Sequence, residues 1–136
     1  MSFFVEWNDY LKVNVSILDE QNRKLTMLAN KTYNALLKKQ TNPAFEEKVL
    51  QALFDYAKDH FIIEEELMMK NGYDGLKPHK DEHNNYTTGL VEIFQKHQAG
   101  IPVSGPILDL LKDWLKNHVL KKDKELGIFL NSRGIY

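Results

Sequence analysis

Three pairs of side chains hold most of the chemical potential of this sequence. His60 and Glu64 stand four residues apart, and so do His79 and His83. On a helix that spacing stacks both side chains on one face, one turn apart. Two imidazoles so placed can reach a single metal ion, and imidazole with carboxylate is a donor set suited to iron, zinc or manganese. His118 and Asp123 stand five residues apart, about 140° round an ideal helix. Periodicity alone does not place that pair in one site.

A single core histidine is ordinarily a hydrogen-bonded structural residue, and the run Glu64-Glu65-Glu66 reads well as a wet helix face. Co-location changes the weighing. The chain has five histidines, and four of them fall on the inward lines of three helical segments. Burying several imidazoles and carboxylates in an apolar bundle is costly without partners. A shared metal ion satisfies all of them at once, and carboxylates that bridge favour a two-metal site. His97 is set apart. It lies 18 residues beyond His79, roughly 27 Å further along the axis, and reads as a surface or helix-end residue. Glu65, turned about 100° from Glu64, is expected to lie outside the site and to tolerate change.

The composition narrows the options. There is no cysteine, so disulfides, thiolate zinc sites and cysteine-held iron–sulfur clusters are excluded. The 18 basic and 19 acidic side chains leave a net charge of −1, which gives no long-range pull toward nucleic acid or an anionic membrane. Uncharged apolar runs are far too short to span a bilayer. The opening MSFFVEWNDY lacks a basic region followed by an apolar core, so a cytoplasmic protein is the expectation. At 136 residues the chain suits one domain, 1–136.

Four helical segments must position these residues. The first 15 residues, with their aromatic and β-branched side chains, suit an extended arm lying on the bundle. Helix A is expected from Ser16 to about Gln40, with Leu18, Asn22, Leu25, Ala29, Thr32 and Leu36 on one face. Asn42 as N-cap and Pro43 at the first position start helix B, which runs to Asn71 and stops at Gly72. Residues 72–77 read as a turn, with Pro78 opening helix C. Two glycines and Pro102 mark the next loop. Helix D starts near Ser104 to Pro106 and runs to about Leu126, followed by an apolar tail. Four helices with short connections predict an all-α, up-down-up-down four-helix bundle with an extended N-terminal arm.

Five stretches together resemble the bacterial hemerythrins over nearly the whole chain: FVEW at 4–7, LDEQNRKL at 18–25, HFIIEEELM at 60–68, PHKDEH at 78–83 and WLKNHVLKKD at 114–123. The resemblance implies a pair of non-haem irons, joined by an oxo or hydroxo bridge, between the four helices. It implies that His79, His83 and His118 bind one iron, that His60 binds the other, and that Glu64 and Asp123 bridge them. It also implies reversible binding of dioxygen.

One position departs from the family pattern. Asn22 stands where the family has a histidine ligand. Its amide oxygen reads as a weak ligand, a poorer one than imidazole, or as a contact to a metal-bound water, and the reading as part of a water network stands level with direct ligation. Three outcomes follow: an iron pair with a further open position, a second iron of low occupancy, or a single iron on His79, His83 and His118. The leading function is a dioxygen-binding di-iron protein for storage, delivery or sensing. The alternatives are a di-iron oxidase or peroxidase and an iron-handling bundle.

Overall fold

The computed structural model describes residues 4–136. Four helical rods pack side by side around one interior, and the fold is an all-α four-helix bundle. The first rod is α1, Ser16–Leu37. It stops three residues short of the expected Gln40 because Lys39 takes a left-handed conformation, φ 56°, which a helix cannot continue through. The second rod is α2, Pro43–Asn71. The Asn42 side chain accepts from the Phe45 N–H at 2.8 Å, and Gly72 closes the far end at φ 68°, where glycine carries no steric penalty. The third rod is α3, Leu76–Gln98. It begins two residues before Pro78, since a proline in the first turn forfeits only an N–H that has no helical partner there.

The fourth rod is continuous over three stretches: α4, Ser104–Asp113, a π-helical stretch, Trp114–Asp123, and α5, Lys124–Ser132. The expected end at Leu126 is therefore too early, and most of the apolar tail is helix. Its start is held by Glu46, a buried carboxylate on α2. Glu46 Oε2 accepts from the Val103 and Ser104 N–H groups at 2.9 and 2.8 Å and from the Ser104 hydroxyl at 2.7 Å. These are donors that the helix itself leaves unpaired.

The N-terminal arm, described from Phe4, is extended only in part. A short 3-10 turn, Asp9–Leu11, interrupts it. The Phe4 and Val5 N–H groups donate to Asn30 Oδ1 at 2.7 and 2.9 Å, and the Val13 N–H donates to Asp19 Oδ1 at 2.7 Å. The arm thus runs antiparallel along α1. Gly127 of α5 lies so close to the Val13 carbonyl that a Cβ there would overlap it.

The apolar core divides in two. One cluster includes Leu25, Leu53, Phe61, Tyr86, Leu90, Leu111 and Leu115. The other holds Val13, Val15, Leu18, Met68, Leu126 and Leu130. Each rod crosses from one cluster to the other, in alternating direction: Leu18 to Leu25, Leu53 to Met68, Leu76 to Leu90, Leu111 to Leu126. That alternation is the up-down-up-down order. It leaves one polar layer between the clusters, where Asn22, His60, Glu64, His79, His83, His118 and Asp123 are all buried. No helix of the described residues is long and apolar enough to cross a membrane.

Candidate metal centre

The polar layer converges on Glu64. Its Oε1 lies 3.1 Å from His60 Nε2, 3.1 Å from His79 Nε2, 3.0 Å from His83 Nε2 and 3.7 Å from His118 Nε2. Asp123 completes the cluster, with Oδ1 at 3.2 Å from His79 Nε2 and 2.8 Å from His118 Nε2, and Oδ2 at 3.5 Å from His60 Nε2. The structure thus brings six of the seven side chains singled out in the sequence around one point, and the seventh, Asn22, sits at its edge. The uneven pair has a local cause. His118 and Asp123 both belong to the π-helical stretch, where i→i+5 bonding widens the turn and brings residues five apart back toward the same face.

Several of these contacts are short without being hydrogen bonds. His60 Nε2, His118 Nε2, Glu64 Oε2 and Asp123 Oδ1 are buried and lack a hydrogen-bond partner. Two carboxylates in a dry interior need positive charge among them. With protons alone, the imidazoles supply it. Burial works against a charged His60, yet the Glu64 and Asp123 carboxylates override it and raise its pKa to about 9. The same contest, won chiefly by Asp123, raises His118 to about 10, and His79 moves up as well. Burial opposes ionisation of Glu64 and Asp123, but the imidazoles prevail and hold Glu64 well below the ordinary carboxylate range and Asp123 below it. Inward-facing donors without partners and a demand for positive charge are what a cation site requires. Two donor sets fit one each: Glu64 with His79, His83 and His118, and Glu64 with His60 and Asp123, all donor atoms within a set lying within 4.8 Å of one another.

The outward ring nitrogens are tied down. His60 Nδ1 meets Gln21 Oε1 at 2.7 Å, His83 Nδ1 meets Glu65 Oε2 at 2.9 Å and His118 Nδ1 meets Glu82 Oε1 at 3.0 Å. An N–H donated outward leaves the Nε2 lone pair facing in. The expectation that Glu65 stands clear of the site is therefore corrected: its rotation away from Glu64 carries it to His83. These three partners escaped the sequence reading. Each adjoins a site position on its own helix, Gln21 beside Asn22, Glu65 beside Glu64 and Glu82 beside His83, and each serves the next helix round the bundle. Adjacency to a site residue was the available signal.

Aromatic rings wall the layer. Phe61 stacks on His83 at 3.9 Å between centroids, Trp114 on His118 at 3.7 Å and Tyr56 on His60 at 5.0 Å. The Tyr56 hydroxyl donates to Asn22 Oδ1 at 2.7 Å and accepts from Trp114 Nε1 at 3.2 Å. Asn22 Nδ2 makes a long 3.5 Å approach to Asp123 Oδ2. A cleft of about 670 Å³ between α1 and α2 has Gln21 and Tyr56 in its lining. His97 lies apart from the layer, at the end of α3, where its Nε2 meets Glu47 at 2.6 Å.

The chain matches the model of the family described as "Hemerythrin HHE cation binding domain" over residues 13–128. It is similar to a bacteriohemerythrin of Clostridium acetobutylicum, 32% identical over 88% of this chain and 95% of that protein. A bacteriohemerythrin of Stenotrophomonas maltophilia is 30% identical over 87% of this chain and 76% of its own length. A myohemerythrin of Theromyzon tessulatum is 30% identical over 87% of each chain.

Proposed function

The chain belongs to the hemerythrin family, and on that footing we propose that it holds two non-haem iron ions and binds dioxygen, or a small ligand like it, at them. His79, His83 and His118 would hold one ion and His60 the other, with Glu64 and Asp123 shared between them. Bound iron supplies a redox-active centre at which dioxygen can bind. The protein's part is to hold four imidazoles facing inward, to supply two negative charges, and to exclude bulk water. Gln21, Glu65 and Glu82 orient three of the rings, and Tyr56, Phe61 and Trp114 cover them. The observation that carries this reading is the convergence of four buried imidazole nitrogens on one oxygen of Glu64, with Asp123 beside it.

The second reading is a di-iron oxidase or peroxidase. It rests on Asn22, which leaves the His60 set with a single imidazole. Ferrous iron added without air should bind at two equivalents per chain, and His79→Ala should lose at least one of them. Admission of air should then give a lasting visible absorption band for an oxygen binder. A band that bleaches quickly with release of hydrogen peroxide favours the oxidase. Failure to take up iron, or uptake that His79→Ala leaves unchanged, overturns the site itself.

A further inference from the structure

The Asn22 carboxamide lies between the Tyr56 hydroxyl and the Asp123 carboxylate, and the Trp114 indole touches that hydroxyl from the other side. An indole N–H can only donate. Trp114 Nε1 lies 3.2 Å from the Tyr56 oxygen, so that oxygen accepts, and the phenolic hydrogen is left to donate elsewhere. Its other polar neighbour is the Asn22 carboxamide at 2.7 Å. The atom facing the hydroxyl must then be the amide oxygen, which turns the NH2 group toward Asp123. The tilt of the amide follows from the chain of donors and not from the near-identical shapes of its oxygen and nitrogen. Asn22 is fully buried, so bulk solvent does not reach either end.

We propose that Trp114 and Tyr56 are positioning residues that lock Asn22 as a donor to Asp123, so that position 22 offers no ligand atom to the ion held by His60. The relay runs Trp114 to Tyr56 to Asn22 to Asp123, from the π-helical stretch through α2 and α1 and back to the π-helical stretch. The consequence for the metal rests on the two-iron reading above; the polarity of the amide does not. On that reading His60, Glu64 and Asp123 would be the side chains that hold the ion on the His60 side.

Two measurements test this. The first uses metal-free, 15N-labelled protein. Tyr56→Phe removes the hydroxyl but keeps the ring on His60, and it should shift or broaden the Asn22 side-chain NH2 resonances while leaving the other asparagines in place. Trp114→Phe should act in the same direction, because the phenol is then free to reverse. Unmoved Asn22 resonances in both variants overturn the relay, whatever the metal does. The second is an anaerobic ferrous titration. Freed to turn, the amide can present its oxygen, and Tyr56→Phe should tighten the second equivalent about tenfold with the first unchanged. In an Asn22→Ala background the same substitution should have no effect. Equal effects in both backgrounds would show that Tyr56 acts through its stack on His60 and overturn the proposal. A wild-type chain that takes up only one equivalent would count against the two-iron reading, and the resonance measurement would still decide the relay.

Discussion

Glu65 offers a sharp measure of how far the ligand field extends into the protein. Its Oε2 lies 2.9 Å from His83 Nδ1, and Lys80 Nζ stands 3.7 Å from its other oxygen. Glu65→Gln keeps the shape and can still accept one hydrogen bond, but it removes the charge that strengthens the bond and makes the ring more basic. Partners of this kind are worth roughly 10- to 100-fold in metal affinity, or about 1.4–2.7 kcal/mol. That loss appears directly in the stability of the metal-bound protein. At about 3–6 °C per kcal/mol for a domain of this size, the metal-bound melting temperature should fall by roughly 4–16 °C. The assay is ferrous iron competition with a chromophoric chelator, without air, alongside thermal melts with and without metal. Glu66→Gln is the control, since Glu66 is exposed one position further on. Equal affinity in the two variants would refute the role given to Glu65.

Gly127→Ala forces a methyl group into the Val13 carbonyl and should cost about 1–3 kcal/mol; an unchanged thermal melt would refute the close approach. Glu46→Ala strips the N–H groups of Val103 and Ser104 of their shared acceptor and should cost about 2–4 kcal/mol in denaturant unfolding, with iron affinity unchanged because the site is in another layer. In the metal-free protein, His60 and His118 titrate at about 9 and about 10, against 6.5 ordinarily. The stability they contribute is whole below pH 6.5 and is lost as pH rises through those values. Glu64 and Asp123 titrate low, so their contribution is lost as pH falls through and below the ordinary carboxylate range. Metal-free melting temperature should therefore be highest near pH 5 to 6.5 and should decline toward about pH 10. A flat metal-free profile from pH 6.5 to 10 would refute the proton clamp.

What the sequence makes legible is whatever depends on neighbours along one helix. The stripe through Leu18, Asn22, Leu25 and Ala29 announces α1, and the Asn42-Pro43 start and Gly72 stop of α2 follow from local capping chemistry. The pairs His60 with Glu64 and His79 with His83 share faces because an α-helix repeats every 3.6 residues. Features decided across helices were not legible in the same way. Nothing local reveals that Glu65 turns to His83, or that Glu46 caps a helix more than fifty residues away. The orientation of Asn22 depends on an indole that sits 92 positions further along the chain, through a phenol on a third helix. Pro78 misleads at the start of α3 for a related reason. A proline marks the first turn of a helix without saying which residue of that turn it is.

The π-helical stretch left a trace that a reading by strict helical period passes over. The inward line of the fourth rod steps from Leu111 to Leu115 to His118 by four and three residues. It then jumps five to Asp123 and resumes by three and four to Leu126 and Leu130, and every one of these positions is buried. Steps of three and four hold a line on an α-helix; the step of five alone sets Asp123 about 140° from His118. A straight α-helix would turn Asp123 away from the layer that His118 faces. The wider winding over Trp114–Asp123 absorbs the jump. Removing Lys121, which is exposed, should convert the step of five into a step of four and let one regular helix bury the whole line. Poorer hydrogen-bond geometry makes irregular helix rare outside functional sites, so the metal-free variant should melt at or above the temperature of the parent. The acid now at position 123 would approach His118 along a tighter turn and leave its place among His60, His79 and Glu64. Iron affinity should fall by about tenfold or more. Thermal melts of the metal-free chains and anaerobic iron titrations measure both effects. A variant that binds iron as tightly as its parent would refute the idea that the π-helical stretch serves the metal site. One that loses its fold without metal would refute the reading of the inward line.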